Sequence, residues 1–203
     1  MKPLIILVCA LCSIYILPAQ EESVTFDKIG TLSEELIAVE KDGKWGFANL
    51  DNSLVIDFRS DIVAENYTIN SKSKSPVFKE GKALVLQLKD GIGYYGYIDK
   101  TGKLIIDCQF LNASNFSNGY ALVIASKTTK KGRNEYLNKD IIKRSFSEII
   151  IDENGNLVKF IKDLSYVRLT KKQYKKPFSN SHFIGPKQIA AQLADGSWKI
   201  INL

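Results

Sequence analysis

Polar and apolar positions along this chain fall into a recurring hairpin pattern. Leu36 to Lys41 leads into Asp42-Gly43, a favoured pair for a two-residue hairpin turn with positive φ, and the chain returns as Lys44 to Asn49. Asp51-Asn52, Thr101-Gly102 and Asn154-Gly155 then turn into third strands. The runs between turns are rich in Val, Ile, Leu, Tyr and Phe. Two-residue alternation sends Trp45 and Phe47 to one face of their strand and Gly46 and Ala48 to the other. This predicts three-stranded antiparallel meanders.

The meander repeats. Trp45 to Asp57 overlays Tyr95 to Asp107, and Ile151-Asp152-Glu153-Asn154-Gly155-Asn156-Leu157-Val158 forms a third copy, with Glu148-Ile149 in place of the aromatic–glycine pair. Asp195 to Leu203 overlays Asp42 to Leu50. Equivalent positions are then 45, 95, 148 and 198, a period of about fifty residues. A second element precedes two of these cores: Phe78-Lys79-Glu80-Gly81-Lys82-Ala83-Leu84-Val85 matches Phe116-Ser117-Asn118-Gly119-Tyr120-Ala121-Leu122-Val123. A lone meander buries too little apolar surface to be stable, so neighbouring units must share cores. The expected fold is all-β: consecutive antiparallel three-stranded β-meander repeats sharing a core, solenoid- or propeller-like. One domain spans 24–203, with units at about 30–60, 78–110, 116–161 and 178–203, the last incomplete. The mid-strand glycines suggest either a chain or ring packed closely over them or a bulge. Over 186–194 local propensity reads helix, with Pro186 at its start, while the repeat reads strand; the strand is the expectation.

The first twenty residues stand apart from the pattern. Met1-Lys2, the uncharged Leu4–Leu17 run and Pro18-Ala19-Gln20 have the layout of a secretory signal peptide, cut after Ala19 or Gln20. Fourteen apolar residues fall short of the roughly 20 that a spanning helix needs, which disfavours an uncleaved anchor. Neither Cys9 nor Cys12 follows a small residue, so a lipid anchor is not expected. The chain is therefore read as exported, to the periplasm, the cell surface or the medium. Cleavage would leave Cys108 alone, with no intramolecular disulfide.

The aromatic–glycine signature of Trp45, Gly46, Tyr95, Gly96 and Trp198 carries a family resemblance. Asp42-Gly43-Lys44-Trp45-Gly46-Phe47, then Asn49 and Leu54-Val55-Ile56, resembles the WG-repeat (KWG-type) proteins of bacteria, and the Tyr95–Lys103 unit with its flanking Phe-x-x-Gly elements fits most fully. The resemblance covers residues 33–123 well and 147–203 loosely. The third unit lacks the Trp-Gly pair, Lys199 replaces glycine in the fourth, and Asp57 and Asp107 stand where the family has proline. The resemblance implies a β-repeat architecture and a binding or scaffold role, often at the cell surface. It implies no reaction and no catalytic residues.

Composition narrows the chemistry. The chain has 203 residues, 45% of them apolar and 25% charged, which describes a foldable domain, and its net charge of +6 is mild. His182 lies in no metal-ligand or nucleophile spacing, and no phosphate loop or dinucleotide fingerprint is present. No cofactor and no metal site are expected. Asp57 and Asp107 recur as a pair, which admits glycoside-type hydrolysis, while Asn49, Asp99 and Asp152 recur at turns, where Asx side chains cap backbone amides.

Charge does concentrate locally. Lys127, Lys130, Lys131, Arg133, Lys139, Lys143 and Arg144 crowd an insertion in the third unit, and Lys171, Lys172, Lys175 and Lys176 flank Tyr174. Projected from one side, they would form a patch for an anionic envelope polymer. Export argues against nucleic acid as the partner. The expectation is a non-enzymatic binding or scaffold module for an unidentified protein or an anionic polymer.

Overall fold

The computed structural model describes residues 25–68, 74–165, 167, 174–193 and 195–203. The expected leader and Lys171-Lys172 lie outside these residues. Among the described residues every regular element is a strand, and the strands form four antiparallel sheets. The first contains β1 (Lys28–Ser33), β2 (Leu36–Lys41), β3 (Lys44–Ala48) and β4 (Leu54–Arg59); the second β5 (Ala83–Lys89), β6 (Ile92–Ile98) and β7 (Leu104–Phe110). The third contains β8 (Asn112–Ala113), β9 (Ala121–Asn134), β10 (Lys139–Ile151) and β11 (Leu157–Asp163); the fourth β12 (His182–Gly185), β13 (Gln188–Gln192) and β14 (Trp198–Asn202). Each sheet is a meander, as the hairpin pattern predicts, but the first and third carry a fourth strand, β1 and β8, ahead of the expected three; within the ambiguous 186–194 stretch, Gln188–Gln192 form a strand.

Sequence turn chemistry sets the connections. Asp42-Gly43 and Asp90-Gly91 both have positive φ at both positions, which matches the right-handed twist of the strands they join. The turns before the third strands share one hydrogen-bond pattern in all four units. Asn49 N bonds Ser53 O, Asp99 N bonds Lys103 O, Asp152 N bonds Asn156 O, and Leu193 N bonds Ser197 O.

That last bond corrects the expected repeat alignment. Leu193–Ser197 occupies the place of Asn49–Ser53, so Trp198 opens a third strand and is the counterpart of Leu54, not of Trp45. Counting back from that turn, Ile189-Ala190 take the place of Trp45-Gly46, although β13 and β14 pair without the slip found opposite Gly46. The fourth unit thus has all three strands and is not incomplete. In the third unit, Glu148↔Lys162 and Ile149↔Phe160 put Glu148-Ile149 where the first has Trp45-Gly46.

The Ala-Leu-Val runs are explained by burial on both faces. In β5, Ala83 and Val85 enter one core with Leu36, Ala38, Phe47 and Ile56, while Leu84 enters a second with Phe116, Ala121 and Val123. In β9, Leu122 and Ile124 turn the other way into a third core with Ile150 and Ile189. Each inner sheet is therefore sandwiched between neighbours, which is why its strands read as nearly continuous apolar runs. Each fully buried aliphatic contributes about 1.5–3 kcal/mol.

The mid-strand glycines mark bulges that press on them. A Cβ at Gly96 would lie 2.5 Å from Ile106 O and 2.8 Å from Cys108 N; at Gly46 it would lie 2.7 Å from Ile56 O. Opposite each glycine the pairing slips: Trp45↔Arg59 gives way to Phe47↔Ile56, and Tyr95↔Phe110 to Tyr97↔Ile106. The close neighbour is thus the backbone of the bulged strand itself.

Candidate functional site

The basic insertion is an arm made of strand. β9 and β10 run on beyond their sheet, and residues 127–145 pair only with one another around a tip at 135–138. Register and two-residue alternation place Lys127 and Lys143 on one face of this arm and Lys130, Arg133 and Arg144 on the other, with Lys131 at a bulge. Lys130 pairs with Asp140 at 2.7 Å, and Arg133 donates to Asn138 Oδ1. Tyr136 is fully exposed at the tip, beside exposed Leu137.

Of the second basic cluster, Lys175 and Lys176 are among the described residues, and they take opposite positions. Lys175 is exposed, but Lys176 turns inward: its ammonium donates to Asn66 O at 2.8 Å and lies 4.6 Å from the Tyr95 ring centroid and 5.3 Å from that of Phe178. Burial pushes its pKa down to about 8, with Glu65 acting in the opposite sense. A lysine so enclosed is a packing element.

A second candidate is a groove of about 880 Å³ where the Phe-x-x-Gly turns of successive units meet. The first unit has such a turn as well, Ser33 to Leu36, hidden in the sequence because Glu35 stands where the later copies have Gly81 and Gly119. All three turns have positive φ at both central residues. Glu34 accepts hydrogen bonds from the amides of Glu80 (2.5 Å) and Gly81 (2.9 Å), and Glu80 accepts from Asn118 and, at 2.7 Å, from Gly119. Each carboxylate therefore clamps the turn of the next unit. Burial raises the Glu34 pKa, but the Gly81 and Glu80 amides and Lys100, 3.4 Å away, outweigh it and hold the carboxyl below its ordinary range.

The fourth unit supplies Asn180, Ser181, His182, Phe183 and Trp198 to the lining. His182 Nδ1 sits 2.9 Å from Asn180 O, and its ring meets Trp198 edge-on at 5.7 Å. Below lie Tyr67 and Glu65. The Tyr67 hydroxyl donates to Glu148 at 2.7 Å, and this fully buried carboxylate also accepts from Ser181 Oγ at 3.0 Å and lies 3.3 Å from Lys162 Nζ. Asn112, equally buried, donates to the carbonyls of Tyr67 and Pro177. These bonds tie the groove floor to the third and fourth units.

The recurring Asp and Asn residues serve turns or face outward. Asn49 Oδ1 accepts from Asp51 and Ser53, Asp99 Oδ1 from Thr101 and Lys103, and Asp152 Oδ1 from Asn154 and Asn156. Asp57 and Asp107 sit at exposed positions of β4 and β7, outside the groove. Among the described residues no group of three His, Cys, Asp or Glu side chains is placed to hold a metal ion, and no helix is long and apolar enough to cross a membrane. Cys108 is buried and free, and burial raises its pKa. Sequence reading missed the groove, although the repeated Phe-x-x-Gly elements that wall it were its visible signal.

The family model described as WG containing repeat matches residues 24–45 and 95–124. No curated protein and no solved structure matches the chain.

Proposed function

We propose that this chain, which carries WG-containing repeats, is an exported, non-enzymatic binding module whose β9–β10 arm engages an anionic polymer of the cell envelope. One observation carries the reading: a two-stranded arm that leaves its sheet with basic side chains on both faces. Charge on both faces suits a flexible polyanion that can contact both, and such attraction weakens with salt. The use of Asn49, Asp99 and Asp152 in turn capping supports a non-enzymatic role. The layout of residues 1–20 supports export.

The test is retention on immobilised heparin and on lipopolysaccharide. Wild-type protein should elute between low salt and about 0.5 M salt. A variant combining Lys127→Glu, Lys130→Glu, Arg133→Glu and Lys143→Glu should pass through. Retention independent of salt, or unchanged in that variant, would overturn the assignment. Fractionation of cells expressing the full chain tests export separately.

A further inference from the structure

The groove has no part in the proposed action of the arm, and its chemistry selects a different ligand. We infer that it is a binding site for a short neutral saccharide, with half-exposed Trp198 as the stacking platform and the carboxylates of Glu34, Glu65 and Glu80 as hydroxyl acceptors.

Three observations carry this. First, the volume of about 880 Å³ falls within the range of small-molecule sites, yet amides, hydroxyls and carboxylates share the lining with aromatic rings. A ligand suited to it needs both a row of donors and an apolar face, and a sugar ring has both. Trp198 is 51% exposed on the last strand, with His182 against it edge-on, so ring surface remains open to a ligand.

Second, the acceptors are preorganised. The Glu34 and Glu80 carboxylates are each fixed by two backbone amides. Glu65 Oε1 is fixed by the amide of Tyr67 at 3.0 Å. A carboxylate has about four lone-pair sites, so each retains capacity for a ligand hydroxyl without having to be ordered on binding.

Third, the charges are already balanced. Lys79 lines the groove with the three glutamates, Lys100 pairs with Glu34, and Lys176 interacts with Glu65. Little net charge remains to attract an ion, which favours a neutral ligand over a cationic peptide.

Calorimetric titration of the full chain with maltotriose, cellotriose and the trimer of N-acetylglucosamine tests the inference. At least one trisaccharide should bind, and Trp198→Ala should weaken it about tenfold or more while leaving the thermal midpoint within a few degrees. Ser117→Trp, which would fill part of the groove, should weaken it similarly. The charge-reversed arm variant should bind the same sugar unchanged, which keeps this result separate from the fate of the arm. Binding of none of the three, binding that survives both groove variants, or tighter binding of a hexa-arginine peptide than of any sugar would overturn the inference.

Discussion

The carboxylate of Glu80 holds the amide of Gly119 at 2.7 Å, repeating one unit later the bond that Glu34 makes to Gly81 at 2.9 Å. A side chain in one turn thus completes the backbone of the next, and sequence-distant units become mechanically continuous. Glu80→Ala should cost about 1 kcal/mol, since the bonds are charge-assisted but solvent-exposed. Thermal or urea denaturation would measure it.

Acid should loosen these turns. The carboxyl pKa of Asp99 is lowered by the Thr101 hydroxyl bond and by backbone amides, and that of Glu34 lies below its ordinary value for the reasons given above. Groups with depressed folded pKa values contribute stability that is present above the unfolded values, near 4, and is lost as pH falls through the folded ones. Urea midpoints should therefore be flat from pH 7 to about 5 and fall below about 4. Asp99→Asn should reduce the acid-dependent part.

Lys176 works in the opposite direction. Its folded pKa of about 8 lies below the ordinary lysine value, so the folded state binds the proton less tightly than the unfolded one. This site's unfavourable contribution is greatest below about pH 8 and diminishes as pH rises toward 10. The difference in stability between wild type and Lys176→Met should shift in favour of wild type across that window.

Glycine substitutions should separate close approach from spare room. Gly96→Ala forces a Cβ to 2.5 Å from backbone and should cost about 2 kcal/mol or more. Gly132→Ala, on the arm, meets nothing within 4 Å and should stay within about 0.5 kcal/mol of wild type. Equal costs would contradict the bulge packing.

Tyr67→Phe removes the hydroxyl that bonds buried Glu148 and should cost about 1–2 kcal/mol. The two tryptophans should also differ. Trp45→Ala removes packing against the first core, whereas Trp198→Ala removes a half-exposed ring and should barely move the thermal midpoint.

The sequence made the meanders legible because turn residues are local: Asp42-Gly43 and Asn154-Gly155 act through their own backbone. Trp198 misled because identical residues, Asp-Gly-x-Trp, occupy two different turns, and only the cross-strand partners of β13 and β14 tell them apart. Glu148 could be aligned from sequence but not understood, since its partners Tyr67 and Ser181 come from segments that only packing brings together. The basic arm could be counted but not oriented, because which face each lysine occupies depends on hairpin register and on one bulge.

The carboxylate clamps also give the chain a direction. Glu34 acts on the second unit and Glu80 on the third, so each acceptor belongs to the earlier unit and each pair of donors to the later one. A duplicate of the second unit placed directly after itself would bring its own glutamate and find its turn already served. A duplicate of the third would follow Asn118, whose amide side chain offers no carboxylate. Growth of such an array by duplication is therefore favoured at one junction and disfavoured at the next.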